Sequence, residues 1–379
     1  MSEQYEIESE KDCRECIDSI KRSLIYAMSK GSHELFHTNI WAWLIERDHS
    51  FIKDFFDGLK GDFLRVERET GNRDLTIWLN EQGKELAYVV ENKFKSVPRE
   101  SQLEDYTHDL RAKKQFGKGL LVSLVKPQDS EKWEWQVLTQ AELMKRNKER
   151  VDGSTVFDEL EKEIVLAYVA MTRKLAAVLL YYSGHYGSQW PTNGAEQELE
   201  DVKLGDIFVK MKSAELAQYI ERQTETVEWR QIAERNGLVL TVRPGFSNKS
   251  ALLDVRFEKH RQDDKGHDEE RFCIGIQIQG NQYRRCVCSH DVARFKNAEA
   301  LYRQFCEYGT WLGDGEFLGM NTTMKKAFCK YESKDYRFAY QYITLEDGCF
   351  EKIFERLKLD MTKVVSLFAN NDVKSIMTA

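Results

Sequence analysis

Residues 63–93 read FLRVERETGNRDLTIWLNEQGKELAYVVENK, and this stretch decides the fold. Three runs, Phe63–Glu69, Asp74–Leu79 and Glu85–Lys93, are separated by the turn signals Gly71-Asn72 and Glu81-Gln82-Gly83. That punctuation predicts three consecutive strands in a meander. Side chains two apart on a strand share a face, so Glu91 and Lys93 point the same way. They close an otherwise apolar segment, Ala87-Tyr88-Val89-Val90, while Asp74 opens the second strand just after a turn. Two carboxylates and a lysine are expensive to bury without a purpose. Two acidic ligands suit Mg²⁺ (or Mn²⁺), which keeps several waters and takes further oxygens from a phosphate. A lysine beside a metal-bound water can position it or help deprotonate it. The bland alternative is a strand end that reaches solvent with an ordinary Glu–Lys pair.

Working outward, residues 9–29 carry the apolar spacing of a helix (Ile17, Ile20, Leu24, Ile25, Met28), and Ser32 offers a cap for a second helix from His33 to Arg47. A short helix around Phe51–Leu59 leads into the strands. After them, Pro98 introduces a helix from Arg99 to Gln115, and Gly117–Val125 has the continuous apolar character of a buried strand. Trp135–Leu138 is one more strand, and a long helix from Val156 to Tyr182 follows. The expectation is an α/β domain with a mixed sheet flanked by helices. Ser183–Glu200, rich in glycine and polar residues, is the expected boundary, where backbone should be open to proteases. It divides the chain into 1–190 and 195–379. The second part reads as an α+β domain: helical over 201–236, strands at Leu238–Arg243, Ala251–Glu258, Arg271–Gln279, Gln282–Ser289 and Arg337–Ile343, with helices at Val292–Tyr308 and Phe350–Ala369.

Composition agrees with two domains. The chain has 379 residues, 41% hydrophobic and 31% charged, with 4 prolines and 22 glycines, which is globular rather than low-complexity. No apolar run approaches the ~20 residues that cross a bilayer, and the acidic start MSEQYEIESE is unlike a signal peptide. Neither a membrane nor a secreted protein is expected. The net charge is -7, from 28 basic and 36 acidic residues in 1–200 and 28 and 27 in 201–379. Nucleic-acid binding would therefore rest on local patches rather than on the charge of the whole. One patch runs from Lys93 to Lys126, where eight basic residues, among them Arg99, Arg111, Lys113 and Lys114, face four acidic ones. Backbone phosphates would track there.

The eight cysteines are too sparse for a disulfide scaffold. Cys13-x-x-Cys16 lies in a helical stretch, and Cys286 and Cys288 alternate on a strand. Structural thiols in a reducing, cytosolic compartment are expected. His33-Glu34-Leu35-Phe36-His37 is an HExxH on a helix, which could hold zinc. The pattern does not continue: Ile40 and Trp43 stand where a metzincin's glycine and histidine would follow, and Asp57 lacks the helical motif of a third ligand.

Taken in order, Glu34, His37-Thr38, Ala42-Trp43-Leu44, Gly71-Asn72-Arg73-Asp74, Glu91-Asn92-Lys93 and Gln102-Leu103-Glu104-Asp105-Tyr106 resemble the PD-(D/E)XK nuclease superfamily. The resemblance covers residues 30–125 and departs at Arg73, where the superfamily name has proline. It implies a restriction-endonuclease-like core and a Mg²⁺-dependent nuclease acting on DNA. Asp74, Glu91, Glu34 and the backbone carbonyl of Asn92 would be the metal ligands. Lys93 and Gln102 would serve the attacking water, and His37 and Tyr106 the nucleic acid. Families of this kind work in the bacterial cytosol in anti-phage defence and DNA processing. The resemblance leaves room for a homodimer and for a regulatory protein partner. Its rival is a nuclease-fold module that binds nucleic acid or protein without cutting. In the second part, Arg284-Arg285, Lys325-Lys326 and the aromatics Tyr302, Tyr331, Tyr336, Tyr340 and Tyr342 are either a nucleic-acid surface or simple sheet packing.

Overall fold

A computed structural model gives the fold and describes residues 7–30, 33–94, 100–127, 130–225, 228–262, 268–291, 295–307, 311–312, 329–334 and 336–368. The chain forms two compact units, one of residues 1–185 and 196–208, the other of 186–195 and 209–379. Each is a sheet flanked by helices.

The first unit opens with helices α1 (Glu10–Lys21), α2 (Leu24–Ser29), α3 (His33–Arg47) and α4 (Ile52–Phe55). Strands β1 (Asp62–Thr70), β2 (Arg73–Glu81) and β3 (Lys84–Lys93) follow, then α5 (Glu100–Ala112), β4 (Phe116–Ser123), β5 (Gln136–Thr139), α6 (Gln140–Gly153), α7 (Glu159–Tyr186) and α8 (Gln197–Asp201). The sheet order is β1-β2-β3-β4-β5, antiparallel as far as β3 and parallel beyond it. Both hairpins turn in two residues: Gly71 and Asn72 have φ of 63° and 62°, Gln82 and Gly83 of 53° and 83°. Positive φ at both central positions is what a type I′ turn requires, and its twist matches that of the strands. Under α5 the core consists of Trp78, Ala87, Val89, Leu103, Leu110, Leu121 and Trp135. Gly119 is glycine because a Cβ there would lie 2.3 Å from the Trp135 ring.

The second unit has α9 (Gly205–Thr224, entered from the first unit), α10 (Trp229–Arg235), β6 (Val239–Ser247), β7 (Ser250–Gln262), β8 (Asp268–Gln279), β9 (Gln282–Ser289), α11 (Ala298–Glu307), β10 (Cys329–Glu332), β11 (Arg337–Thr344) and α12 (Phe350–Leu367). Its six strands, ordered β10-β11-β9-β8-β7-β6, are antiparallel throughout. Asp360 joins α12 to β9 through a buried network, 2.7 Å from the Arg285 guanidinium and 3.1 Å from that of Arg356.

Several expectations need correction. The helix expected over 9–29 is two helices, because the Ser23 side chain accepts the Tyr26 N–H and caps α2 afresh. Residues 183–200 are not an open linker. Trp190 is only 2% exposed, its backbone N–H donates to Gly348 and its indole to Gly280. A Cβ on Gly348 would come within 2.3 Å of the Trp190 carbonyl, so the close approach needs glycine. Nor is there a single crossing: residues 196–208 return to the first unit, where Glu198 and Asp201 meet Arg14 and Lys21. Cys273 and Cys288, opposite each other on β8 and β9, form a disulfide with Cα atoms 4.9 Å apart, so the chain does not keep all its cysteines free. Finally, α7 is long and apolar enough by composition to cross a membrane, although half of its most apolar window is buried here. It carries Tyr168, which hydrogen-bonds His37 and Trp41 of α3, as a core helix does.

Candidate active site

Asp74 and Glu91 come together because the Gly71-Asn72 turn returns β2 along β1, and β2 then pairs with β3 up to Leu75 opposite Val90. Past that pair the Asp74 side chain takes over from the ladder: Asn92 N–H donates to its Oδ2 at 2.7 Å. Glu91 is 1% exposed. Its Oε1 receives the Lys93 ammonium at 2.6 Å and the Gln102 amide at 3.1 Å. Its Oε2 is buried and has no hydrogen-bond partner among the described residues. The same Gln102 nitrogen donates to the Tyr106 hydroxyl at 2.7 Å, and that hydroxyl donates to the Asn72 carbonyl at 2.6 Å. A continuous chain thus runs from the turn before Asp74, through two side chains one turn apart on α5, to the glutamate–lysine pair on β3.

The Asn92 side chain leaves on the other face. Its amide nitrogen donates to the Glu34 carbonyl at 3.0 Å, and its oxygen accepts from Gln140 at 3.1 Å. Asn92 therefore pins the end of β3 to the first turn of α3 and to the start of α6. The Glu34 side chain is half-buried, and its charge is felt at Asp74 and at Lys93.

Burial pushes Asp74 up to about 6, with Glu34 and Glu69 adding to the rise and the Asn92 N–H and Lys93 opposing it. Burial and the nearby Asp74 charge push Glu91 up to about 7, against the pull of Lys93. Burial works against the charged form of Lys93, but Glu91, Asp74 and Glu34 outweigh it and its pKa rises. Two repelling carboxylates with one ammonium, paired with Glu91, form a site short of positive charge. A cation with oxygen preference would be held by Asp74 and by the partnerless Glu91 Oε2, and two carboxylates plus waters is a normal Mg²⁺ complement. Among the described residues no three His, Cys, Asp or Glu side chains form a preformed metal cage. The donor set thus fits a cation that keeps much of its water.

Other expected residues fall elsewhere. His37 is fully buried, its Nδ1 is 2.8 Å from the Tyr168 hydroxyl, and its ring stacks on Phe94 with centroids 4.2 Å apart. This corrects the expectation that it meets nucleic acid: α7 and Phe94 cover it. Arg111 is exposed in the last turn of α5, about 14 Å along the helix axis from Gln102 at 1.5 Å per residue, and Lys113 and Lys114 are exposed just past the helix end. Arg111 is paired with Glu134, and Lys113 with Asp109 at 2.9 Å. Arg99 lies outside the described residues. Sequence reasoning missed Gln140 and the Asn72 carbonyl. The first had a signal: Thr139 and Glu142 make a capping box that opens α6, legible as Thr-x-x-Glu. The second had none, since any residue offers a carbonyl.

Compared with models of known protein families, with curated proteins and with solved structures, the chain matches none.

Proposed function

We propose that the first unit is a divalent-metal-dependent nuclease of the PD-(D/E)XK type, with a restriction-endonuclease-like core, hydrolysing phosphodiester bonds in DNA. The carrying observation is Glu91, buried and paired with Lys93, with one oxygen bound to lysine and glutamine and the other without a hydrogen-bond partner among the described residues. Helix, three antiparallel strands, helix and parallel strand in this order support the reading, as does the ordered set of motifs that lies on them.

Asp74 and Glu91 would hold Mg²⁺ or Mn²⁺, with Glu34 reaching it through water and the Asn92 carbonyl as a further donor. Bound there, the metal supplies Lewis acidity and a water of lowered pKa. Lys93 orients the attacking water and contacts the phosphate. Gln102 fixes the Glu91 carboxylate, and Tyr106 fixes Gln102. Arg111, Lys113 and Lys114 meet flanking phosphates, exchanging Glu134 and Asp109 for them. A place in bacterial cytosolic defence or DNA processing belongs to the same proposal.

The test is calorimetric titration of Mn²⁺ and Mg²⁺ into the parent and into Asp74→Ala and Glu91→Ala, alongside cleavage of plasmid DNA with and without EDTA. Metal binding and cleavage should be lost together. Equal metal binding by all three proteins, or cleavage that survives EDTA, would sink the proposal; metal-independent DNA binding without cleavage would favour a binding module.

A further inference from the structure

One face of the second sheet carries a continuous run of rings. In the β11–β9 register Tyr342 lies opposite Arg284, Tyr340 opposite Cys286 and Phe338 opposite Cys288, while Tyr331 of β10 lies opposite Phe338. The period of two places all of these on one face. Ring centroids follow one another at 6.2 Å from Tyr331 to Tyr336, 6.2 Å to Phe338, 5.4 Å to Tyr340 and 6.3 Å to Tyr342. Beside the rings on the same face Cys273, Cys286 and Cys288 are buried next to Phe338, and Tyr336 and Tyr340 pack against this cluster.

Described contacts of α11 and α12 with the sheet lie on the other face. Tyr302 of α11 meets Gln341, Phe305 stacks on Phe272, and Asp360 of α12 pairs with Arg285. The ladder face keeps an exposed end at Tyr331, 61% accessible, with Tyr336, Tyr340 and Tyr342 half-buried.

On this face β9 and β11 present one charged side chain, Arg284, and no carboxylate; Arg285 and Arg337 lie on the other face, and the nearest acids of the ladder face, Asp254 and Glu258 of β7, are paired with Arg256. The Arg284 guanidinium lies over the Tyr340 ring, 4.6 Å from its centroid, held there by Gln277 at 2.6 Å and Gln282 at 2.7 Å. His290 stands 4.7 Å from the Tyr336 ring. Ordinary cross-strand packing explains a pair of tyrosines. It does not explain a five-ring run with an arginine held over one of its rings and no acid on β9 or β11.

We propose that this face binds single-stranded nucleic acid, with bases stacked on Tyr336, Tyr340 and Tyr342 and phosphates drawn to Arg284. Stacking platforms beside basic groups bind single strands with little sequence preference, because every base has a π-face. The ring spacing exceeds the about 3.4 Å of stacked bases in a duplex strand, so the bound strand is extended. A paired duplex hides its base faces and is not taken up here. This inference concerns the second unit and does not depend on the nuclease reading of the first.

The test uses the full chain in EDTA, with a fluorescein-labelled 20-mer of oligodeoxythymidine and a duplex of equal length followed by anisotropy. Each of Tyr340→Leu and Tyr342→Leu should weaken the single strand about tenfold, within the range for loss of one base–aromatic stack, and leave duplex affinity unchanged. Tyr340→Phe, which keeps the ring, should bind like the parent. Ultraviolet crosslinking of an iodouridine-bearing strand to the unmodified protein should map to peptides containing Tyr336, Tyr340 or Tyr342, whatever the stability of the variants. Crosslinks found only elsewhere, unchanged single-strand affinity in both leucine variants, or equal loss for duplex and single strand would overturn the proposal. Single-strand binding through these tyrosines with no cleavage under any metal would leave it standing and remove the nuclease reading instead.

Discussion

Lys93 and Glu91 face each other at 2.6 Å, the lysine side chain 12% exposed and the glutamate 1%. Each is the reason the other can be buried. Removing the ammonium leaves Glu91 beside Asp74 with no counter-charge, and Glu91 then holds its proton more tightly. Lys93→Ala should lower single-turnover DNA cleavage by about 10²–10⁴-fold, the usual weight of a positioned proton-handling group, while DNA affinity in EDTA stays within about threefold, a change below 1 kcal/mol. Cleavage at the parental rate would remove Lys93 from the chemistry. Arginine should not rescue, since its fixed fork cannot replace a point charge on a flexible stem.

Asp74 and Glu91 make the metal-free protein pH-sensitive. Both have folded pKa values above their ordinary ones, about 6 against 3.8 and about 7 against 4.5. Between those limits the native state holds more protons than the unfolded chain, so stability falls as pH rises, and the loss is complete above about 7. Asp74→Asn removes one charge of the pair. Its Tm relative to the parent should therefore climb from pH 5 to about pH 7 and level off above that in EDTA, and Mg²⁺ should raise the parent's Tm most at the alkaline end. A difference that does not change with pH would show that these carboxylates are not mutually strained.

Gln102 holds Glu91 and Tyr106 at once, at 3.1 and 2.7 Å. Gln102→Leu should reduce kcat by about 10²-fold, and Tyr106→Phe by about tenfold, with KM for DNA little changed, the signature of an interaction that matters in the transition state. If KM rose and kcat did not, both residues would be binding DNA rather than setting the carboxylate.

Tyr168 accepts the Trp41 indole N–H at 3.0 Å and sits 2.8 Å from His37 Nδ1, all in the core. Tyr168→Phe deprives both rings of their oxygen and should cost about 1–3 kcal/mol in urea unfolding, the penalty for stranding buried polar groups. Mn²⁺ affinity should not move. A variant as stable as the parent but defective in DNA binding would return His37 to the nucleic-acid surface.

The sequence by itself determined what is local. Alternation along 63–93 and the Gly71-Asn72 and Gln82-Gly83 turns specify the hairpins, and the period of two alone puts Glu91 and Lys93 on one face. Those are properties of neighbouring residues: backbone sterics at a turn and side-chain direction along a strand. Only the tertiary structure decided what covers each face. The α5 crossover carries Gln102 and Tyr106 to Glu91 and takes Arg111 and Lys113 to the far end. Helix α7 closes over His37, which turns half of an HExxH into core. Pairing of β8 with β9 sets Cys273 against Cys288, and Trp190 buries itself where composition suggests an open linker. In each case the outcome depends on which distant segment arrives to exclude water, and that is set by packing across the fold rather than by spacing along the chain.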